Sequence, residues 1–401
     1  MKFVNKFFLW LATDSQPKSN TIRLDNNVLF SAIVLMAIGI VMVYSASIAY
    51  AGRDSGNNNQ YFYLMRHVMN LVLGVVAGII TFQVDTRILS KNADKILMIV
   101  ILVLIAVLIP GIGRVINGAR RWISLGFMNL QPSELGKLAM AIYVANFLKT
   151  GAKNLSVKDY IVLGLAILVV LVCLLAEPDL GSTTVVAVIA FSIFFLAGGP
   201  VKFVLALGGL GIAGFSVLVF TSEYRMKRVL GFLDPWEDAL GKGYQLSHSL
   251  LAFGHGGWTG VGLGNSIEKL YYLPEAHTDF IMAIVGEEFG VVGVLVVLLL
   301  FWIIFYRGST VIATEAKRIP GRKFQGYLAN GISIWFFFQC IVNIGVAIGM
   351  LPTKGLTMPF ISYGGSSILI NCIALAILLK IDYENKSYFI SKKDDKEKYN
   401  Y

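Results

Sequence analysis

The sequence predicts an all-α polytopic membrane protein with ten transmembrane helices and a long extracytoplasmic loop between helices seven and eight. Three observations lead there. Hydrophobic residues make up 56% of the chain and charged residues only 14%, where an ordinary soluble domain carries about 25% charge. Mean hydropathy is +0.70. Apolar runs long enough to cross about 30 Å of hydrocarbon recur along the whole chain, which leaves residues 1–401 as one membrane domain.

In order, the runs fall at 27–48, 63–83, 95–112, 134–149, 159–176, 181–199, 201–221, 278–305, 327–350 and 361–381. The fourth is short and opens with Glu134 and Lys137. Ahead of the first, "MKFVNKFFLWLATDSQPKSN" has too short an apolar part for a cleavable signal, and polar sequence follows it. It is expected to lie in the interface as an amphipathic stub. Cys173, Cys340 and Cys372 all fall within spans as core fillers, and the longest loop has no cysteine to staple it.

The net charge of +10 reflects topology and not a nucleic-acid partner. With both termini in the cytoplasm, about 22 Lys and Arg lie inside and about 12 outside, as the positive-inside rule favours. The tail "KKDDKEKYNY" and residues 315–325 supply many of the inner ones.

Two outward loops are long, 113–133 and 222–277. The second holds Trp236, Tyr244, Trp258, Tyr271 and Tyr272, a composition that folds. It is expected to form short amphipathic helices broken by "GHGGWTGVGLGN" (254–265). Loops this long in a compact protein carry function or are disordered, so function points outward.

Acids collect at that level. A helix starting near Thr278 would put Asp279 in its first turn, at the positive end of the helix dipole. Glu287 would then lie about 12 Å deeper and about 80° around the helix, near enough to share a cavity with Asp279, with Glu288 on the opposite side. Carboxylates inside a span serve function by default, and otherwise bond to neighbouring helices or an Arg. In "AEPDLGSTT" (176–184), Pro178 and Gly181 mark a tight outer turn carrying Glu177 and Asp179, and Asp179 is placed to cap the next helix. The same level holds the cations Arg114, Arg120, Arg121, Lys137, Arg225, Lys227, Arg228, Lys269 and Lys354. They either pair with phosphate oxygens of a lipid-linked anion or extend to water and headgroups. An enzyme or a transporter acting on such an anion fits this pattern.

Six ordered stretches carry a resemblance: "NGARRWI" (117–123), "QPSE" (131–134), "EPDLGS" (177–182), "DPWED…GKGYQ" (234–245), "GVGLGNSIEKLYYLPEAHTDFIMAIVGEE" (260–288) and "GMLPTKGLTMPFISYGGSS" (349–367). Together they resemble the SEDS proteins, the polytopic peptidoglycan polymerases of bacteria that include RodA and FtsW. "LPTKGLTMPFISYGG" and "IEKLYYLPEAHTDF" are similar to the division-specific FtsW branch more than to the elongation-specific RodA branch. His248 and His255 depart from the residues common at those positions.

The resemblance implies a glycosyltransferase of the bacterial inner membrane and its division septum. It would polymerise lipid II, the undecaprenyl-diphosphate-linked disaccharide-pentapeptide, on the outer face. It also implies a class B penicillin-binding protein (a transpeptidase of the FtsI type) and other division-complex membrane proteins as partners. The family's essential acid falls on Asp279, and Glu287 matches a further family-associated acid. A diphosphate leaves without protonation, so the chemistry calls for one base and several cations. Asp279 is the expected base, and Lys354, Arg120, Arg121 and Lys269 are the expected diphosphate contacts. His277, next but one to the acid, and Ser362 complete the substrate-binding set. No metal-ligand motif is present; a divalent cation held by Glu177 and Asp179 is an open expectation. The competing readings are the RodA-type elongation polymerase, a lipid II flippase and a non-catalytic division scaffold, in the last of which Asp279 would be replaceable. Charges crowded into the outer half of the bundle favour the enzyme.

Overall fold

The computed structural model describes residues 24–54, 59–116, 118–124, 126, 129–202, 208–209, 214, 220, 226, 231–232, 234–241, 243–352 and 355–399. The elements run α1 (Asn26–Asp54), α2 (Phe62–Gln83), α3 (Thr86–Lys91), α4 (Ala93–Leu108), β1 (Gly113–Ile116), β2 (Ala119–Ser124), β3 (Asn129–Leu130), α5 (Pro132–Phe147), α6 (Val157–Ala176), α7 (Leu180–Leu196), α8 (Tyr244–Gly256), α9 (Ile281–Tyr306), α10 (Ala313–Arg318), α11 (Lys323–Ala347) and α12 (Gly365–Tyr399). A π-helical turn, Arg307–Ile312, joins α9 to α10.

Among the described residues, six helices are long and apolar enough to cross a membrane: Asn26–Ala51, Phe62–Gln83, Val157–Ala176, Ile281–Arg318, Lys323–Ala347 and Gly365–Lys392. The chain is therefore a multi-pass helical membrane protein. Helices α4, α5 and α7, of 16, 16 and 17 residues, occupy the third, fourth and sixth predicted runs. The seventh, 201–221, lies largely outside the described residues, as does the start of the 222–277 loop.

Local chemistry sets the helix starts. Ser156 and Asp159 form a reciprocal capping box on α6. Pro132 opens α5, where its missing N–H costs nothing. Asp179 caps α7 by accepting from the Ser182 N–H at 3.0 Å. The short fourth run has a physical explanation. Almost every α5 residue from Pro132 to Ala145 is buried, because α4, α7 and α11 pack around it. Enclosed by protein, it holds the ion pair Lys137–Glu134 at 2.7 Å.

One element departs from the all-α expectation. Gly113–Ile116, Ala119–Ser124 and Asn129–Leu130 form a three-stranded antiparallel sheet in the order β1-β2-β3. Its strands are four, six and two residues long, too short to stand out against helical hydropathy.

At the far end of α9 a buried charge network fastens the start of α1 to the end of α9 and to α12. Arg307 Nε donates to Asp25 Oδ2 at 2.7 Å, the Asp25 N–H donates to Asp382 Oδ2 at 2.8 Å, and Lys386 Nζ donates to the same oxygen at 2.9 Å. Burial makes such charges expensive unless each has a partner.

Candidate active site

Helix α9 begins at Ile281, so Asp279 stands two residues ahead of it, on the turn that enters the helix. That corrects the expected geometry: Asp279 and Glu287 do not share one continuous helix from 278. The Asp279 side chain is half-buried and lies beside Gly355. A Cβ built on Gly355 would lie 3.0 Å from Asp279 Oδ2, so a side chain there would press on the carboxylate.

The backbone around the acid is held from behind by α11. Asn343 Nδ2 donates to the Asp279 carbonyl at 2.9 Å and to the Leu356 carbonyl at 2.7 Å. With two carbonyls facing it, the amide nitrogen must point there, since a flipped Oδ1 would meet two acceptors. One turn earlier, Gln339 Nε2 donates to the Thr357 carbonyl at 2.7 Å. Gln339 Oε1 accepts from Trp335 Nε1 at 2.7 Å and from Lys137 Nζ at 3.3 Å. The buried Lys137–Glu134 pair thereby orients an amide that fixes the loop beside Asp279. Sequence reasoning missed Asn343 and Gln339; their only signal was two amides four apart in an apolar helix.

Ser362 and His277 belong to the same assembly. Ser362 Oγ accepts from the Met358 N–H at 2.7 Å and donates to the Thr278 carbonyl at 2.6 Å. The Tyr363 N–H donates to the His277 carbonyl at 2.9 Å. The His277 ring sits among Tyr63 (4.5 Å between centroids), Tyr363 (5.6 Å) and Tyr50 (6.2 Å). Ser362 is buried, so here it braces the backbone of the acid.

Glu287, Glu288 and Lys269 do different work from that expected. Glu287 is fully buried and accepts from Ser266 Oγ, from the Ile267 N–H at 3.0 Å and from the Glu268 N–H at 3.3 Å. His255 Nδ1 lies 3.4 Å away. Lys269, 3% exposed, donates to Glu288 Oε1 at 2.7 Å and to Ser45 Oγ at 2.9 Å. Each acid draws a piece of the chain between α8 and α9 onto α9. In this arrangement Lys269 and Glu287 are committed to internal partners and are not presented to a diphosphate.

The backbone reinforces that seam. Gly290 breaks α9, with φ +66° and ψ −165°. The carbonyls of Glu287 and Glu288 accept from the Val261 and Gly262 N–H groups, both at 3.0 Å. The N–H groups of Val291 and Val292 donate to the Gly257 and Trp258 carbonyls at 3.0 and 3.2 Å. A helix interrupted within a bundle needs its freed groups satisfied, and the glycine-rich stretch after α8 does so. Gly260 has φ +81°, and a Cβ there would come within 2.2 Å of the Glu288 carbonyl.

Arg121 braces the neighbouring turn, its guanidinium donating to the Glu177 carbonyl at 2.8 Å and to the Pro178 carbonyl. Arg120 Nη1 donates to the Leu108 carbonyl at 3.2 Å. Lys354 lies outside the described residues. The Glu177 carboxyl is fully buried and neither oxygen has a hydrogen-bond partner. Burial, with Asp179 adding to it and Arg121 opposing, pushes its pKa from 4.5 up to about 8. Asp179 is already engaged by Ser182 and, at 3.4 Å, by Gln131 Nε2. Among the described residues, no three His, Cys, Asp or Glu side chains gather into a metal-holding group.

Fold and site together define a multi-pass membrane protein with a carboxylate fixed where the chain enters a long helix. The family described as cell cycle protein, that of FtsW, RodA and SpoVE, matches residues 25–387. The chain belongs to that family. It is 47% identical to the probable peptidoglycan glycosyltransferase FtsW of Aromatoleum aromaticum, over 92% of this chain and 90% of the relative. It is 44% identical to the protein of the same name in Haemophilus influenzae, over 90% of each. Among solved structures, a chain reported under "Structural coordination of polymerization and crosslinking by a peptidoglycan synthase complex" aligns at 29% identity with a TM-score of 0.73, over 91% of this chain and 99% of that one. The rod shape determining protein RodA of Thermus thermophilus aligns at 26% identity with a TM-score of 0.67, over 92% and 99%.

Proposed function

We propose that the chain is a peptidoglycan glycosyltransferase of the division-specific branch, polymerising lipid II with release of undecaprenyl diphosphate. Relatives named FtsW at 47% and 44% identity support the branch. The observation that carries the reaction is the seating of Asp279. Its carboxylate is set against Gly355, and its backbone is held by Asn343 and, through Thr278, by Ser362.

In this reading Asp279 takes the proton from the acceptor sugar's C4 hydroxyl as that oxygen attacks the anomeric carbon of the donor. The bond to diphosphate breaks, and the leaving anion needs cations and no acid. Lys354, next in sequence to Gly355, is the cation assigned to it, with Arg120 and Arg121 nearby in role. Arg121 bonds two carbonyls of the turn and is assigned to the field around the site as well. His277 is assigned to the sugar side, and Lys269 and Glu287 to holding the outer loop.

In the same reading ten crossings lie in the inner membrane, with the 222–277 loop outside, both termini in the cytoplasm and the chain at the septum. A class B penicillin-binding protein and other division-complex membrane proteins are its expected companions. A solved relative reported as part of a peptidoglycan synthase complex supports such pairing. The test is reconstitution with that transpeptidase and fluorescent lipid II, followed by gel separation. Polymer from the native chain and none from Asp279→Asn is expected. Full polymer from the variant removes the assignment, and lipid movement without polymer indicates a flippase.

A further inference from the structure

At the end of α9 away from Asp279, residues 319–321 between α10 and α11 border a cavity of about 390 Å³ whose other walls are Lys149, Lys317, Arg318 and Lys323. Helix α9 has 26 residues, about 39 Å of rise, so this cavity lies roughly a bilayer away from the acid. It falls on the side that the Lys and Arg excess assigns to the cytoplasm.

Four cations line the cavity and no acid does. None of the four has a carboxylate partner among the described residues, whereas Arg322, beside them in sequence, is paired with Glu384 at 2.7 Å. One of them is also held in place: the Lys317 stem packs on Gly326, where a Cβ would fall 2.5 Å from its Cγ. Its ammonium lies 4.9 Å from the centre of the Tyr327 ring. Lys149 Nζ is steadied by Asn146 Oδ1 at 3.2 Å. Helix α11 starts at Lys323 with no side-chain cap, so the positive end of its dipole adds to the same field. Like charges gathered around a cavity repel one another unless an anion joins them.

We propose that this cavity binds a phosphate-bearing anion, with the headgroup of an anionic phospholipid in the cytoplasmic leaflet as its source. Basic pockets between helix ends on that side suit such headgroups.

The full-length chain in nanodiscs tests this, with retained lipid counted by native mass spectrometry after exposure to equimolar phosphatidylglycerol and phosphatidylcholine. Preferential retention of phosphatidylglycerol by about tenfold is expected. The exposed pair Arg318→Gln/Lys323→Gln should abolish the preference. The control Lys95→Gln/Lys158→Gln, exposed lysines away from the cavity, should leave it intact. Equal retention of both lipids by the native chain overturns the proposal, and so does an equal loss in both double variants, which would mean diffuse attraction. Inorganic phosphate in the same assay separates the sources. Displacement of the lipid by millimolar phosphate assigns the site to free phosphate and removes the headgroup. The native-chain comparison needs no variant, so a misfolded mutant does not stop the test.

Discussion

Asn343 Nδ2 lies 2.9 Å from the main-chain carbonyl of Asp279 and 2.7 Å from that of Leu356, so one amide fixes both walls of the candidate site. Asn343→Asp keeps the volume and loses the donor. Initial rates of lipid II polymerisation at saturating substrate should fall on the order of 10²-fold, with KM nearly unchanged, because the base is displaced while the binding groups remain. An unchanged rate in purified, folded protein would show that this clamp does not position the acid.

Gly355→Ala probes the same wall from the front. Its added methyl would stand 3.0 Å from Asp279 Oδ2, tight enough to move the carboxylate. A loss of roughly tenfold or more in rate is expected, without loss of thermal stability. A melting curve and a gel assay on one preparation check both halves.

The buried pair Lys269–Glu288 supports a double-mutant test. Lys269→Met alone leaves an uncompensated buried carboxylate and should cost on the order of 3–5 kcal/mol. Combining it with Glu288→Met should recover much of that loss, which chemical denaturation in detergent would register. Polymerisation by the stable double variant would confirm that Lys269 holds the loop; its absence there would return Lys269 to the substrate.

Glu177 gives a pH dependence with a definite sign. Its folded pKa, about 8 against an ordinary 4.5, means the folded chain binds this proton more tightly than the unfolded one. Stability from this group is therefore fully present below about pH 4.5 and declines as pH rises toward about 8. Glu177→Gln should flatten that decline and raise the melting temperature above pH 8. A steeper slope in the variant would contradict the buried, neutral carboxyl.

Much of the helix framework was legible because apolar length is a strong signal. Described helices occupy nine of the ten predicted runs, wholly or in part. Asp179 as a helix cap followed from one turn of chain. Less legible were contacts made by residues far apart in sequence. The 113–130 sheet depends on pairing between short strands. The commitments of Glu287 to residues 266–268 and of Lys269 to Glu288 depend on how a loop folds back. A charged residue near a membrane surface looks alike whether it meets a ligand or a neighbour. Asn343 and Gln339 were silent because an amide in an apolar helix announces a partner without naming it.

The seam at Gly290 is stitched by four bonds between main chains, and this makes it sensitive to count more than to kind. The side chains of Trp258, Thr259 and Val261 are interchangeable as far as those stitches are concerned, while Gly260 must stay a glycine. One inserted or deleted residue would throw every stitch out of step and pull Glu287 and Glu288 off their anchors together. The length of this stretch is therefore more tightly constrained than the side chains of Trp258, Thr259 and Val261.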